Sequence, residues 1–220
     1  GMKLKLFLLV VTINLAAMAA VIVGLPEQVP IHFGPSGQAD SWGSKWFYLV
    51  FAFIPPLELA VYLTYRRLTR DNPNVQKNAK IEKKVIALTM LFLAAIGWFF
   101  LLTVRSGATR LNTSWACLIF TGVGLLMIYI SNYMAKIRPN RTMGIRVRWT
   151  LRDETVWVKA HRVAGYSGVV GGAIMIAGSL MGFALQVWMA FAGFGLGMIV
   201  LAVVPVVYAR NLYRKLHPEE

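Results

Sequence analysis

Six stretches of the chain are almost unbroken apolar runs: Leu6–Leu25, Trp46–Tyr65, Val85–Val104, Trp115–Met134, Val163–Phe183 and Val187–Tyr208. Polar residues collect between them. Each run has the length, about 20 residues, that an α-helix needs to cross the hydrocarbon core of a bilayer. Backbone groups in lipid have no water to bond, so each crossing segment must satisfy its own by forming a helix. The pattern therefore predicts an all-α, polytopic membrane protein with six transmembrane helices. It divides into a helix–loop–helix region over 1–84, with an outward loop at 26–45, and a four-helix region over 85–220 with a polar motif at 139–162. The first run follows Lys3 and Lys5 as the core of a cleaved leader would, but it is too long for one and predicts a retained helix.

Charge orients the bundle. Twenty of the 23 Lys and Arg residues fall in the start of the chain, in 66–84, in 136–162 and after Tyr208, all on one side if every run crosses. The other side keeps Lys45, Arg105 and Arg110. By the positive-inside rule both termini are cytoplasmic. The same segregation accounts for the net charge of +14, which in a soluble chain would suggest nucleic acid. No direct nucleic-acid partner is expected here; the basic face instead attracts anionic membrane lipid. A lone cysteine, Cys117, leaves no internal disulfide to form.

The last two runs are joined by a few residues near Ala184–Gln186 and predict an antiparallel helix pair. Gly168/Gly172, Gly178/Gly182 and Gly193/Gly197 are spaced to let two backbones approach closely. That spacing serves packing within the bundle or, alternatively, a homodimer interface. Pro55-Pro56 and Pro205 each remove a backbone donor and predict kinks.

In the outward loop, Pro26 and Pro30 favour extended geometry before them. Val29–Phe33 reads as a short extended piece and Gly34–Gly37 as a turn. Trp42 and Trp46 suit the membrane interface. His32, with Glu27 or Asp40 as partner, either holds the loop by a hydrogen bond or contacts a ligand. A metal site would need more nitrogen or sulfur ligands than this loop offers, and no metal or other cofactor is expected. Ligand candidates in this loop are Pro30, His32, Gly37, Asp40, Trp42 and Gly43.

On the inward side, Pro139-Asn140 ends the fourth helix and Gly144 marks a turn. Thr150 followed three residues later by Asp153 resembles a capping box, predicting a helix from about Leu151. It would set Glu154, Trp157 and His161 along one stripe. The segment either anchors an interfacial helix or forms a docking face, since Trp and Arg often carry binding hot spots. Docking candidates are Asn140, Gly144, Arg146, Trp149, Thr150, Glu154, Trp157, His161 and Arg162. A catalytic pair of Glu154 and His161 is the rival to both, but no nucleophile, metal cluster or phosphate loop accompanies it, and no enzyme is expected.

Glu58 is the one ionisable side chain well inside a run. At such depth a carboxylate costs a few kcal/mol and is expected to face the bundle interior, as a relay or as one end of a structural hydrogen bond. Asn14 is its candidate partner.

Two of these motifs carry a resemblance. Leu25-Pro26-x-Gln28-x-Pro30-Ile31-His32-Phe33, followed by Gly37, Asp40 and Trp42-Gly43-Ser44-Lys45, resembles domain of unknown function 1648. Asn140-Arg141-x-x-Gly144-Ile145-Arg146-x-x-Trp149-Thr150-Leu151, running on through Glu154, Trp157 and His161-Arg162, resembles the SdpI immunity-protein family. The chain departs from the second pattern at Arg148, where a proline is usual. The resemblance implies a multi-pass protein of the bacterial inner (cytoplasmic) membrane that confers resistance to an exported antimicrobial peptide toxin. It also implies signal transduction: the outer loop faces the toxin, and the inner segment holds a cytoplasmic transcriptional repressor. The rival expectation is a small proton-coupled transporter or exporter built on Glu58.

Overall fold

The structure, a computed structural model, describes residues 2–219. Seven α-helices account for most of it: α1 (Met2–Val23), α2 (Leu49–Leu68), α3 (Pro73–Arg105), α4 (Thr113–Met134), α5 (Arg148–Arg152), α6 (Glu154–Ala184) and α7 (Trp188–Leu216). All except α5 are long and apolar enough to cross a membrane. Between α1 and α2, strands β1 (Gln28–Phe33) and β2 (Ala39–Ser44) pair antiparallel, and a 3-10 turn (Lys45–Tyr48) leads into α2.

Helix ends follow local capping chemistry. α3 begins at Pro73, well before its apolar run, because Asn72 Oδ1 accepts from the amides of Asn74 (3.0 Å) and Val75 (3.3 Å), with proline in the first helical position. The expected start near Leu151 is corrected in the same terms. Thr150 lies inside α5, and the following helix starts at Glu154, where Asp153 Oδ1 accepts from Val156 N at 3.0 Å. A hydrophobicity pattern cannot tell these two starts apart; the side chain that reaches the free amides can. Pro55, Pro56 and Pro205 lie inside helices that run on past them.

The chain forms two compact units. The first comprises Gly1–Leu68 and Ile86–Trp115. Its core joins α1, the hairpin and α2 through Met18, Ile22, Leu25, Val29, Tyr48 and Ala52, with Leu101 and Val104 of α3. Tyr48 stacks on Phe51 (5.8 Å between centroids) and Phe51 on Phe100 (5.8 Å).

The second unit comprises Thr69–Val85 and Ala116–Glu220. Here glycine allows backbone contact. A Cβ added at Gly178 would lie 2.6 Å from Gly193 Cα on α7, and one at Gly172 would lie 2.6 Å from Gly124 O on α4. Between transmembrane helices such dispersion contact is the main source of attraction, because lipid is as apolar as the partner. These glycines are occupied in packing α6 against its own chain.

Candidate functional site

The hairpin explains why its residues are spaced as they are. Pro30 has no N–H to give a ladder and sits where the β1–β2 register slips, between Pro30↔Trp42 and His32↔Ser41. Its carbonyl accepts from the buried Tyr48 hydroxyl at 2.6 Å. Gly37 turns the hairpin at φ +81°, and a side chain there would run into the carbonyl of Leu111. The loop after α3 is sewn to this turn: Ala39 N donates to Thr109 O (2.8 Å) and Leu111 N to Gly37 O (2.7 Å).

His32 Nδ1 and Asp40 Oδ1 lie 2.5 Å apart across the strands, with the side chains 66% and 52% exposed. Glu27, the other expected partner of His32, pairs instead with Lys45 at 2.9 Å. Lys45 is only 7% exposed, and its Nζ also donates to the carbonyls of Val23 (3.1 Å) and Leu25 (3.2 Å). A cation at the C-terminal end of α1 meets free carbonyls and the negative pole of the helix dipole. In the sequence Lys45 stood out as an outward charge and as the last residue of the loop motif, not as a helix cap. Its place in the chain, just after a strand returning to a helix end, was the available signal. Trp42 and Gly43 belong to β2, and the Trp42 ring is exposed.

The connector 135–147 is clamped at several points. Asn78 on α3 binds the Arg138 backbone both ways, accepting from its amide (2.9 Å) and donating to its carbonyl (3.1 Å). Asn140 Oδ1 accepts from Thr142 N (2.8 Å) and Met143 N (2.7 Å), while its Nδ2 donates to Arg138 O and Met143 O. Trp157 Nε1 donates to Ile137 O at 2.9 Å, and its ring stacks on His161 with centroids 4.0 Å apart. His161 Nδ1 donates to Trp157 O (2.8 Å), so its Nε2 accepts from Ile145 N (2.9 Å). Gly144, at φ +103°, lies against the Nε2 edge of this ring. Thr150 Oγ1 accepts from Val147 N (3.2 Å) and reaches the carbonyls of Ile145 (2.5 Å) and Val147 (2.9 Å). Asn78 escaped notice in the sequence; an uncharged amide among lysines was its only mark.

This network divides the docking candidates. Asn140, Thr150, Trp157 and His161 are buried and hold the connector. Arg146, Glu154 and Arg162 are exposed, and Arg148 lies over the half-buried Trp149 ring at 5.2 Å. Glu154 and His161 are not brought together, since both ring nitrogens of His161 are already bonded. Beyond the connector, Asp153 Oδ2 meets His217 Nε2 at 2.8 Å. The two bonds to Asp153, from His217 first and from Val156 N second, hold its carboxyl below the usual carboxylate range.

Inside the apolar part of the first unit, Glu58 Oε1 accepts from the Thr89 hydroxyl and its Oε2 is buried without a partner. The pairing of Glu58 with Asn14 is corrected: Asn14 Oδ1 accepts from Trp98 Nε1 at 2.7 Å. An indole N–H in an apolar setting needs an acceptor, and the Asn14 carbonyl supplies it.

The profile of the SdpI/YfhL protein family matches residues 136–209, the connector and the two helices it leads into, and that of domain of unknown function 1648 matches residues 9–54, which contain the hairpin. A Bacillus subtilis (strain 168) protein named Immunity protein SdpI is 32% identical over 156 residues, covering 69% of each chain. The chain belongs to the SdpI family. No solved structure matches it. With six helices of crossing length, this SdpI-family chain is a multi-pass membrane protein.

Proposed function

We propose that this chain protects the bacterium that makes it against an exported antimicrobial peptide toxin, acting by binding within the cytoplasmic membrane. The observation that carries this reading is the 32% identity with Immunity protein SdpI. In this reading the hairpin faces outward and meets the peptide, with the exposed His32, Asp40 and Trp42 as its contact surface. The connector faces the cytoplasm, where Arg146, Arg148, Arg152 and Arg162 recruit a transcriptional repressor. Asn140, Trp157 and His161 then act as positioning residues, holding the connector and the start of α6 in shape. Coupling requires the peptide to favour one of two arrangements of the bundle.

Growth of cells expressing the chain under graded peptide toxin tests the first step. Expression should raise the inhibitory concentration, and His32→Ala with Asp40→Ala should reverse most of that gain. No gain from the parent chain defeats the proposal. For the second step, charge reversal at Arg146, Arg148 and Arg152 should abolish recruitment of a cytoplasmic partner to membranes while resistance survives; if both fall together, separate faces are wrong.

One observation favours a second reading, a small proton-coupled transporter or exporter: Glu58 Oε2 is buried without a partner, as a relay carboxyl would be. In that case Glu58→Gln abolishes protection although the protein is made and inserted. A Glu58→Gln variant that protects as well as its parent removes it.

A further inference from the structure

Two lysines of the second unit are held by an aromatic ring rather than by an acid. Lys84 Nζ donates to the Tyr133 hydroxyl at 3.2 Å and lies 5.1 Å from that ring's centroid, while Lys136 Nζ lies 5.9 Å from the same centroid. The Tyr133 hydroxyl donates onward to Tyr129 at 3.3 Å. Both lysines are exposed, and neither has an acidic partner among the described residues. A ring quadrupole positions an ammonium group but leaves its charge uncompensated. Two such cations sharing one ring are prepared for an anion.

Tyr133 also lines an apolar crevice of about 310 Å³, together with Ile81 and Val85 of α3, Ile130 and Met134 of α4, and Leu201 of α7. That volume is at the lower end for ligand sites. An occupant of both features must carry an apolar chain and a negative group side by side. In a membrane-embedded protein, the compound with that chemistry is an anionic phospholipid. Basic pockets between transmembrane helices hold such headgroups elsewhere.

We propose that the second unit binds one anionic phospholipid, with an acyl chain in the Ile81–Ile130–Leu201 crevice and its phosphate between Lys84 and Lys136. Native mass spectrometry of the full chain, released from detergent with phosphatidylglycerol or phosphatidylcholine added, reads the site. Phosphatidylglycerol should outlast phosphatidylcholine on the protein. Lys84→Gln with Lys136→Gln should cost about 25-fold in phosphatidylglycerol affinity, about 5-fold per cation at an anionic surface, and remove the preference. Ala202 lines the crevice from an exposed position, so Ala202→Phe should fill it and weaken both lipids while the lysines stay. The proposal is overturned if the double lysine variant keeps phosphatidylglycerol as well as its parent, or if both lipids are retained equally. Displacement of the lipid by free glycerol 3-phosphate would also overturn it, because a soluble phosphate would then be the ligand. Unchanged melting temperatures of the variants separate lost binding from lost fold.

Discussion

At the scale of single residues, two glycines with positive φ make opposite demands. Gly107 sits at φ +78° with nothing near a Cβ, whereas Gly144 sits at φ +103° and a Cβ there would strike His161 Nε2. Backbone strain alone should make Gly107→Ala cost about 1 kcal/mol. Gly144→Ala adds displacement of a buried ring that serves the Ile145 amide and stacks on Trp157, and should cost about 3 kcal/mol. Thermal melts of the two variants in one detergent check the order. Equal losses would mean that the His161 ring is not pinned as described. His161 was legible in the sequence as part of a stripe with Trp157. Its job was not, because periodicity places a residue on a helix face without saying what lies against it. Only the path of the connector shows that Gly144 lies there.

Elements are decided at their ends, and the start of α6 is the clearest case. Asp153 caps the helix through Val156 N and receives His217 from the end of α7. Since its carboxyl titrates below the usual range, the folded state favours the ionised form. The resulting stability is fully present above the ordinary aspartate value of about 4 and is lost as pH falls through the lowered folded value. Asp153→Asn keeps a capping side chain but not the charge. It should melt below the parent at pH 7, and the gap should close as pH drops from about 5 to 3. A gap that is constant with pH would assign the effect to packing. The six long helices were readable from apolar run length alone, because the bilayer sets that length. The second hairpin strand was not: Ala39–Ser44 has little β-branched character, and it forms because β1 and the Thr109 carbonyl bind its backbone.

For the whole molecule, the loops associate as an alternating chain of crossings requires. The loop after α3 bonds to the hairpin within the first unit, and the connector bonds to the start of α3 within the second. If each long helix crosses, the hairpin and the loop at 106–112 share one side, and the connector shares the other with both termini. The basic residues add direction, because they concentrate in the segments assigned to the termini's side. Cysteine labelling in intact cells tests side and direction together. The native Cys117 is buried and should stay unlabelled, so single cysteines can be introduced at Ser36 in the hairpin turn and at Arg141 in the connector, both exposed. A membrane-impermeant maleimide should label the Ser36→Cys protein in whole cells and the Arg141→Cys protein only after lysis. Labelling of both positions from outside would break the alternation on which separate toxin-facing and cytoplasmic surfaces rest. The reverse pattern would keep the alternation but invert it, against the pull of 20 basic residues.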